Sequence, residues 1–325
     1  MLRRQISQHL CLAALSMWTF GPVLAQSSYP NKPITLIVPF GPGGIADITA
    51  RTVAQAMSVT LKQTIIVDNR PSAGSIVGSA AVAKAEPDGY TLLLMSNGNA
   101  VSASLFKKLP FDVSRDFAPV ATLGFFDLAL FVNAESRFKS AGEVTGFAKS
   151  NPGKLTLGTI TSGSTQNLAA ELFKTTTGID AVIVPYKGTP AVVTALRAGE
   201  IDAAFEILGP MVGQVSSKAI RALAVTSDKR FAALPDVPTK KEAGIANYNV
   251  ASWNALAAPA GTSADVIARL NAAANEALKS AAVQERLLAL GVRPQGSTPE
   301  QLRTLLASET KRWGDVIRAA KIELQ

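Results

Sequence analysis

The chain has 325 residues, of which 47% are hydrophobic and 17% charged, and its formal net charge is +8. This length is sufficient for two domains of ordinary size, each with its own apolar core. The single histidine and single cysteine, His9 and Cys11, lie in a segment that begins with Arg3 and Arg4 and continues into an apolar run. That pattern is typical of a secretory signal peptide, and we expect residues 1–25 to be removed.

Removal of this leader would leave a mature chain without an imidazole or a thiol. Such a chain cannot form a Ser-His-Asp triad, a Cys-His pair or a cysteine and histidine zinc site. Loss of the two leader arginines lowers the net charge to +6, and the remaining basic residues are dispersed, which indicates no nucleic-acid surface. We therefore expect an exported, monomeric protein that binds no metal, no cofactor and no nucleic acid.

Apolar strand-like runs alternate with helical patterns along the chain, which predicts parallel β-α-β units. The first set comprises strands at Ile34–Val38, Thr64–Asp68, Thr91–Met95 and Val120–Leu123, with helices at Asp47–Leu61 and Ser75–Ala85. The second set comprises strands at Leu128–Val132, Leu155–Gly158, Ala181–Val184, Ala203–Glu206 and Ala222–Thr226, with helices at Ser140–Ser150, Ser164–Thr176, Thr189–Ala198 and Pro210–Ser217. A strand at Ala251–Ala258 precedes two or three amphipathic helices. Two α/β sets with a cleft between them form the simplest architecture that fits this order.

Four strand-to-helix connections are rich in glycine or in hydroxyl side chains. They are Phe40–Asp47, Asn69–Gly74, Gly158–Thr165 and Val184–Gly188. Glycines let backbone amides converge on a bound group, and a following helix start adds partial positive charge. Any one of them alone fits an ordinary connection with an N-cap such as Ser164. Because ligands bind beyond the carboxyl ends of strands in open α/β sheets, four such connections together predict a carboxylate site that needs no metal.

One motif favours a different function. Gly41, Gly43 and Ala46 match the dinucleotide-binding fingerprint, and Asp68 follows where a ribose-binding acid is expected. Pro42 removes an amide from the phosphate turn, which weakens the match. Two Ser-x-x-Lys matches lack the companion motifs of penicillin-recognising enzymes. We therefore expect no catalytic residue, with an exported nicotinamide-dependent oxidoreductase as the alternative hypothesis.

Motifs spread in order over the mature chain resemble the receptors of tripartite tricarboxylate transporters, also called Bug receptors. They include Pro39-Phe40-x-Pro42-Gly43-Gly44-x-x-Asp47, Asn69-Arg70-Pro71, Ala85-x-Pro87-Asp88-Gly89-Tyr90-Thr91-Leu92 and Val184-Pro185-Tyr186-Lys187-Gly188. The resemblance implies a type II periplasmic-binding-protein fold, in which two α/β lobes enclose a ligand cleft. The first lobe would comprise residues 29–129 and 251–325, and the second residues 130–250. It also implies a periplasmic receptor that hands a small carboxylate-bearing solute to membrane permease subunits.

The same resemblance implies which loops hold the ligand. Loops matching Phe40–Asp47 and Ser72–Gly74 hold a carboxylate through backbone amides and ordered water, and those matching Thr161–Asn167 and Tyr186–Gly188 close from the other lobe. Glu206 stands where aspartate is frequent, and an acid there could either meet a ligand amine or be a solvated carboxylate at the end of a strand. The candidate ligand-binding residues are Phe40, Gly43, Gly44, Asp47, Ser72, Ala73, Gly74, Thr161, Ser162, Ser164, Thr165, Asn167, Tyr186, Lys187, Gly188 and Glu206.

Our hypothesis is a non-catalytic receptor that captures a small organic anion, either a carboxylate or an amino acid. Backbone amides of the glycine loops would fix one carboxylate, hydroxyl groups of the Thr161–Asn167 loop would select the other end, and Phe40 would exclude water. Closure of the lobes would be the signal that a permease reads, because the ligand contacts both sides. A receptor that reports to a signalling partner is a further alternative.

Overall fold

The structure is a computed structural model that describes residues 29–161, 163–245, 248 and 250–325. The expected signal peptide and the candidate residue Ser162 lie outside this part of the chain. No helix within it is both long enough and apolar enough to cross a bilayer. Strands and helices alternate from Ile34 to Val225 as predicted, except in the segment from Asn97 to Asn133.

The first elements of the chain form parallel β-α-β units. They are β1 (Ile34–Val38), α1 (Ile45–Leu61), β2 (Ile65–Asn69), a short 3-10 helix (Ala73–Ser75), α2 (Ile76–Ala83), β3 (Thr91–Ser96) and α3 (Asn97–Leu105). Strand β1 pairs in parallel with both β2 and β3. The carboxyl ends of these three strands therefore lie at one edge of the sheet, as the predicted site requires.

Sequence patterns did not reveal α3, because the run Asn97-Gly98-Asn99 has the composition of a turn. The helix begins with a capping box at Ser96, whose hydroxyl accepts the Gly98 amide at 3.1 Å while its own amide donates to Asn99 Oδ1 at 2.9 Å. The Asn99 amide group also donates to the Ser79 hydroxyl at 2.7 Å. Asparagine has a low helix propensity. Here the buried asparagine side chains have hydrogen-bond partners, which is compatible with a helix.

The remaining elements contain a second set of parallel units and then return to the first. They are β4 (Phe117–Asn133), α4 (Ala141–Ser150), β5 (Leu155–Ile160), α5 (Thr165–Thr177), β6 (Ala181–Tyr186), α6 (Thr189–Ala198), β7 (Ala203–Ile207), α7 (Leu208–Ser216), β8 (Ile220–Val225), β9 (Ala251–Pro259), α8 (Ala264–Lys279), α9 (Ala281–Ala289), β10 (Val292–Pro294) and α10 (Pro299–Ala319). Strand β5 pairs in parallel with β6 and β7, so their carboxyl ends also share an edge. Strands β4 and β8, at the predicted Leu128–Val132 and Ala222–Thr226, pair with the other described strands only in antiparallel orientation, so their place in a parallel set was predicted wrongly.

Strand β4 is one strand of 17 residues, so the prediction of two strands, Val120–Leu123 and Leu128–Val132, was wrong. The strand continues through Gly124 because β10 pairs there, so closely that a Cβ atom on Gly124 would lie 2.8 Å from the Arg293 carbonyl oxygen. Up to Asp127, β4 pairs with β9, and from Leu128 onward it pairs with β7 and β8.

This change of partners along β4 divides the curled sheet, whose strand order is β2-β1-β3-β9-β4-β7-β5-β6, with β8 and β10 also on β4. We call β1–β3, β9, β10 and the first part of β4 the first half, and the remaining strands the second half. The predicted lobe boundaries lie close to this division and remain predictions.

Alternating side chains of the sheet belong to different cores. Leu93, Leu130 and Phe205 join one cluster that extends across both halves and includes Trp313 of α10. On the opposite face, Leu94 belongs to a cluster confined to the first half, and Phe131 to one confined to the second. Successive strand residues point to opposite faces, so one face of the sheet has a continuous core and the other has two separate cores.

Candidate ligand-binding site

The turn before α1 is built around Gly43. Gly43 has a φ angle of +82°, a value that glycine adopts without a steric penalty, and its amide donates to Asp47 Oδ2 at 2.9 Å. Gly44 is the N-cap of α1 and supplies no side-chain cap for the first helical amides. The start of a 17-residue helix with free N–H groups, at the carboxyl end of β1, favours an anion. We call residues 41–47 the Gly43 turn.

The buried carboxylate of Asp47 organises the Gly43 turn. Besides the Gly43 amide, it accepts the Asn69 amide group at 2.8 Å and lies 3.1 Å from Arg51 Nε. Asn69 also donates to the Phe40 carbonyl at 3.0 Å and accepts from Arg51 at 2.8 Å. Burial acts to raise the pKa of Asp47, but the hydrogen bonds from Arg51, Gly43 and Asn69 outweigh it and leave the pKa lowered. Asp47 therefore positions the turn.

The loop after β2 lies against the end of α3. The Ser72 hydroxyl accepts the Val77 amide at 2.9 Å and so supports the start of α2. Gly74 has a φ angle of +59°, and a Cβ atom added there would lie 2.4 Å from the Phe106 ring. The backbone of Ala73 belongs to the short 3-10 helix between β2 and α2. Glycine at position 74 thus allows a close approach as well as a left-handed conformation.

In the second half, the turn before α5 has the same arrangement as the Gly43 turn. Gly163 has a φ angle of +75°, and its amide donates to Asn167 Oδ1 at 3.0 Å. Ser164 is the N-cap, and its hydroxyl accepts the Asn167 amide at 3.1 Å. A hydroxyl that accepts one hydrogen bond still has its own proton to donate, so Ser164 can bind a ligand oxygen. We call residues 161–167 the Gly163 turn.

Direct contacts bring the Gly163 turn to the first half. Asn97, the first residue of α3, donates to the Thr165 hydroxyl at 2.9 Å and accepts from Trp313 Nε1 at 2.7 Å. A Cβ atom on Gly163 would lie 2.1 Å from Leu105 Cδ2. The Thr165 hydroxyl proton stays available for a ligand, since Thr165 only accepts in this contact. The starts of α3 and α5 therefore meet between the halves.

Glu206 links the starts of three helices in the second half. Its side chain is completely buried, and its Oε2 accepts from Gln166 Nε2 at 3.2 Å, from Thr189 Oγ1 at 3.1 Å and from the Ile207 amide at 3.3 Å. The other oxygen, Oε1, is buried and has no hydrogen-bond partner among the described residues. Burial raises the pKa of Glu206, and these three hydrogen bonds oppose the rise.

The remaining candidate residues lie in the segment before α6 and in the first part of the Gly163 turn. Tyr186 ends β6, and Gly188 is the N-cap of α6, which has no side-chain cap. Lys187 is exposed and forms no ion pair within the described residues. Thr161 is also exposed, and its carbonyl accepts the Ser164 amide at 3.1 Å. Thr189 connects this segment to Glu206, so the contacts run from the Gly163 turn to the start of α6.

Sequence reasoning did not identify three residues that hold the site together. Arg51 pairs with Asp47, Asn97 joins the two halves, and Gln166 connects α5 to Glu206. The polar run Asn97-Gly98-Asn99 directly after a buried strand was the one available signal. Among the described residues, no group of three or more histidine, cysteine, aspartate or glutamate side chains is placed to bind a metal ion.

A groove of about 800 Å³ lies elsewhere, between α3, the segment after it and α10. Phe106, Phe111 and Phe117 line it, with Lys107 and Arg303 also in its walls, and none of the sixteen candidate residues takes part. It lies at the C-terminal end of α3, and the first residues of α1 and α5 are not among its lining residues. We therefore place the candidate site at the two glycine turns and not in the groove.

The family model for the tripartite tricarboxylate transporter family receptor matches residues 49–322. Protein BugT of Bordetella pertussis is 38% identical over 307 residues, which cover 94% of this chain and 94% of BugT. The structure of the periplasmic binding protein BugD superposes with a TM-score of 0.77 at 30% identity and covers 91% of this chain and 100% of BugD. MatC of Rhodopseudomonas palustris, solved with bound malate, gives a TM-score of 0.76 at 32% identity and covers 89% of this chain and 100% of MatC.

These similarities extend over nearly the whole described chain and confirm the predicted type II periplasmic-binding-protein fold. The chain belongs to the family of tripartite tricarboxylate transporter receptors.

Proposed function

We propose that this protein is a non-catalytic periplasmic receptor that captures a small carboxylate-bearing solute between its two halves and delivers it to a membrane permease. The observation that carries the proposal is the uncapped start of α1, behind a turn that Asp47, Arg51 and Asn69 hold in place. Fixed backbone amides at a helix start bind a carboxylate without a metal or a lysine, since their dipoles already point toward it.

The second half supplies the other side of the proposed site. The hydroxyl groups of Ser164 and Thr165 each accept one hydrogen bond from the protein and keep a proton for a ligand oxygen. A ligand held by both glycine turns would stabilise the arrangement in which the halves are close. The malate in the related MatC, a dicarboxylate, supports a ligand of this class.

The nicotinamide hypothesis has less support. The Gly43 amide, which a dinucleotide fingerprint would direct at a phosphate, already donates to Asp47. Asp68, the proposed ribose-binding acid, lies 2.8 Å from Arg70 Nη2 in an ion pair. Both groups are therefore engaged within the protein, and we expect no nicotinamide binding by the purified chain.

Calorimetric titration tests the proposed ligand class. The purified chain would be titrated with mono-, di- and tricarboxylates and with amino acids, and NAD would serve as the comparison from the other hypothesis. We expect saturable binding of at least one carboxylate and none of NAD. Failure of every carboxylate to bind a folded sample would contradict the proposal.

A proline substitution tests the role of the α1 amides. Ile45 is the first residue of α1, where proline is tolerated, and Gly44 before it has a ψ angle of 168°, which suits a residue preceding proline. Ile45→Pro removes one N–H donor, whereas the control Ile45→Ala removes the side chain and keeps the donor. We expect Ile45→Pro to bind the carboxylate about tenfold more weakly than Ile45→Ala, as for loss of a hydrogen bond to a charged group. Equal affinities of the two folded variants would contradict the assignment.

Delivery to a permease follows from the same closure. A permease that recognises the closed arrangement should bind the loaded receptor more tightly than the empty one. Binding of the purified protein to membranes that contain permease subunits of a tripartite tricarboxylate transporter, measured with and without ligand, tests this step. Ligand-independent binding, or ligand-dependent capture of a sensor protein in their place, would contradict delivery to a permease.

A further inference from the structure

The two oxygens of the Glu206 carboxylate have very different surroundings. Oε2 receives three donors, from Gln166, Thr189 and the Ile207 amide, at 3.1 to 3.3 Å. Oε1 is buried and has no hydrogen-bond partner among the described residues. An unpaired buried acceptor costs free energy, and the imbalance between two oxygens of one group marks a place where a donor is missing.

The position of Glu206 identifies where that donor would come from. Glu206 lies near the carboxyl end of β7, beside β5. Gln166, which contacts it, directly follows Thr165, and Thr165 receives the hydrogen bond from Asn97 of the first half. Glu206 therefore contacts a residue of the Gly163 turn, which we propose to hold the ligand.

The charge of the surroundings favours a cationic donor. The donors to Oε2 come from the first residues of α5 and α6 and from the residue before α7, and the positive ends of these helices favour an ionised carboxylate. Within the described residues, Glu206 forms no ion pair with lysine or arginine. A buried negative charge without a cation is costly, and an ammonium group would supply both the missing hydrogen bond and the missing charge.

We propose that Oε1 of Glu206 accepts a hydrogen bond from the ammonium group of the ligand, so that this receptor selects an amino acid over the corresponding acid without the amine. The inference rests on the proposed function, since it places the ligand carboxylate at the start of α1 and the amine toward the second half. Glu206 is then the specificity-determining residue of the site. The ligand class narrows to carboxylates that carry an ammonium group.

Matched ligand pairs test this inference. Calorimetric affinities of the wild-type protein for aspartate and succinate, and for glutamate and glutarate, compare molecules that differ only in the amine. We expect the amino acid of at least one pair to bind about tenfold more tightly or better, as for a hydrogen bond between charged groups. Tighter binding of succinate and glutarate would overturn this inference and leave the proposed carboxylate receptor intact. Binding of none of the four would overturn this inference, and the wider carboxylate panel would then decide the proposed function.

Two variants distinguish a ligand contact from a purely structural acid. Glu206→Gln keeps the shape and removes the charge, so the ratio of aspartate affinity to succinate affinity should fall by about tenfold. The control Thr189→Val removes one donor to Oε2 and leaves Oε1 unchanged, so the preference should persist. An equal effect of Glu206→Gln on both ligands would overturn the inference. If Glu206→Gln does not fold, the wild-type ligand pairs decide the question.

Discussion

Gly43 and Gly163 occupy equivalent positions in the two halves of the molecule. Each has a left-handed backbone, precedes the N-cap of a helix by one residue, and donates its amide to the side chain at the third helical position. The two acceptors differ in charge, because Asp47 is an acid and Asn167 is an amide. Arg51 offsets the charge of Asp47, so the first turn depends on an ion pair and the second does not.

The conformation of Gly43 gives the first prediction. A Cβ atom on Gly43 meets no neighbour within 4 Å, so Gly43→Val acts through backbone strain at φ +82°. We expect the strained turn to reduce ligand affinity by about tenfold, since left-handed backbone costs roughly 1–2 kcal/mol in a residue with a Cβ atom. Gly178→Val is the matched control, because Gly178 has a φ angle of +65° and open space at the other end of α5. If calorimetry shows the same loss of ligand affinity in Gly43→Val and in Gly178→Val, the role of the Gly43 turn in ligand binding is contradicted.

The ion pair of Asp47 gives a prediction about pH. The pKa of Asp47 is lowered in the folded protein, so the stability that it contributes is present above the ordinary aspartate value and is lost as the pH falls through the folded value. Arg51→Met should raise the pKa of Asp47 and reduce the loss of stability in acid. Carboxyl-carbon NMR titration and urea unfolding at several acidic pH values measure both effects. An Asp47 pKa that stays unchanged in Arg51→Met would contradict the assignment.

The role of Asp47 could be predicted only in part from the sequence. Its place in the motif with Gly43 and Gly44 marked it as a candidate ligand contact. Its carboxylate instead receives donors from Gly43, Arg51 and Asn69, and the last of these comes from another strand. No local pattern indicates that Asn69 folds against Asp47, because this contact depends on the parallel pairing of β1 and β2.

At the scale of elements, apolar runs located most strands to within two residues. The strand Ile34–Val38 and the helix Thr189–Ala198 have the predicted bounds. The splitting of β4 was wrong because its continuity at Gly124 depends on β10, which is distant in sequence. Helix α3 was missed because its asparagines are stabilised by Ser79, Thr165 and Trp313, which belong to other elements.

Helix α10 is connected to the site through α3, which gives a prediction for this pair of elements. Trp313 Nε1 donates to Asn97 Oδ1 at 2.7 Å and lies 3.0 Å from Glu309 Oε2. Trp313→Phe keeps an aromatic ring and leaves the buried Asn97 oxygen without this donor, so we expect a loss of about 1–3 kcal/mol in the free energy of unfolding.

A double-mutant cycle with Asn97→Ala isolates the contribution of this hydrogen bond. Trp313→Phe should cost less in the Asn97→Ala background, because the acceptor is already absent. Denaturant unfolding of the four proteins measures the coupling. Strict additivity of the two substitutions would contradict a direct link between α10 and α3.

At the scale of the whole molecule, the cores indicate how the halves can move. One face of the sheet carries a core common to both halves, with Trp313 of α10 in it, and the opposite face carries two separate cores. We expect bending to occur where β4 changes partners, between Asp127 and Leu128, because this strand runs through both halves. The halves meet again where Gly209 of α7 lies against Leu290 and Gly291.

The contact at Gly209 gives a prediction about closure. A Cβ atom on Gly209 would lie 2.1 Å from the Leu290 carbonyl oxygen, so Gly209→Ala must displace α7 from the first half. We expect ligand affinity to fall by about tenfold, because binding then works against the displaced arrangement. Gly213→Ala in the same helix meets nothing within 4 Å and should bind like the wild type. Equal affinities of both variants, with folding confirmed by circular dichroism, would contradict closure at this contact.

Family motifs predicted the loops of the candidate site but not the contacts within it. The Gly43 turn, the Asn69 loop and the Gly163 turn were all identified from sequence. The contact between Asn97 and Thr165, which brings the Gly163 turn to the first half, joins residues far apart in the chain, and no spacing rule reveals it. The unpaired oxygen of Glu206 likewise becomes visible only when the starts of α5, α6 and α7 are brought together.

The most direct test of this account is a crystal structure of the purified protein with its tightest-binding carboxylate. We predict one ligand carboxylate within about 3 Å of the backbone nitrogens at the start of α1, and the opposite end of the ligand against the Gly163 turn. A ligand bound in the groove between α3 and α10, or bound to one half alone, would contradict capture between the two glycine turns.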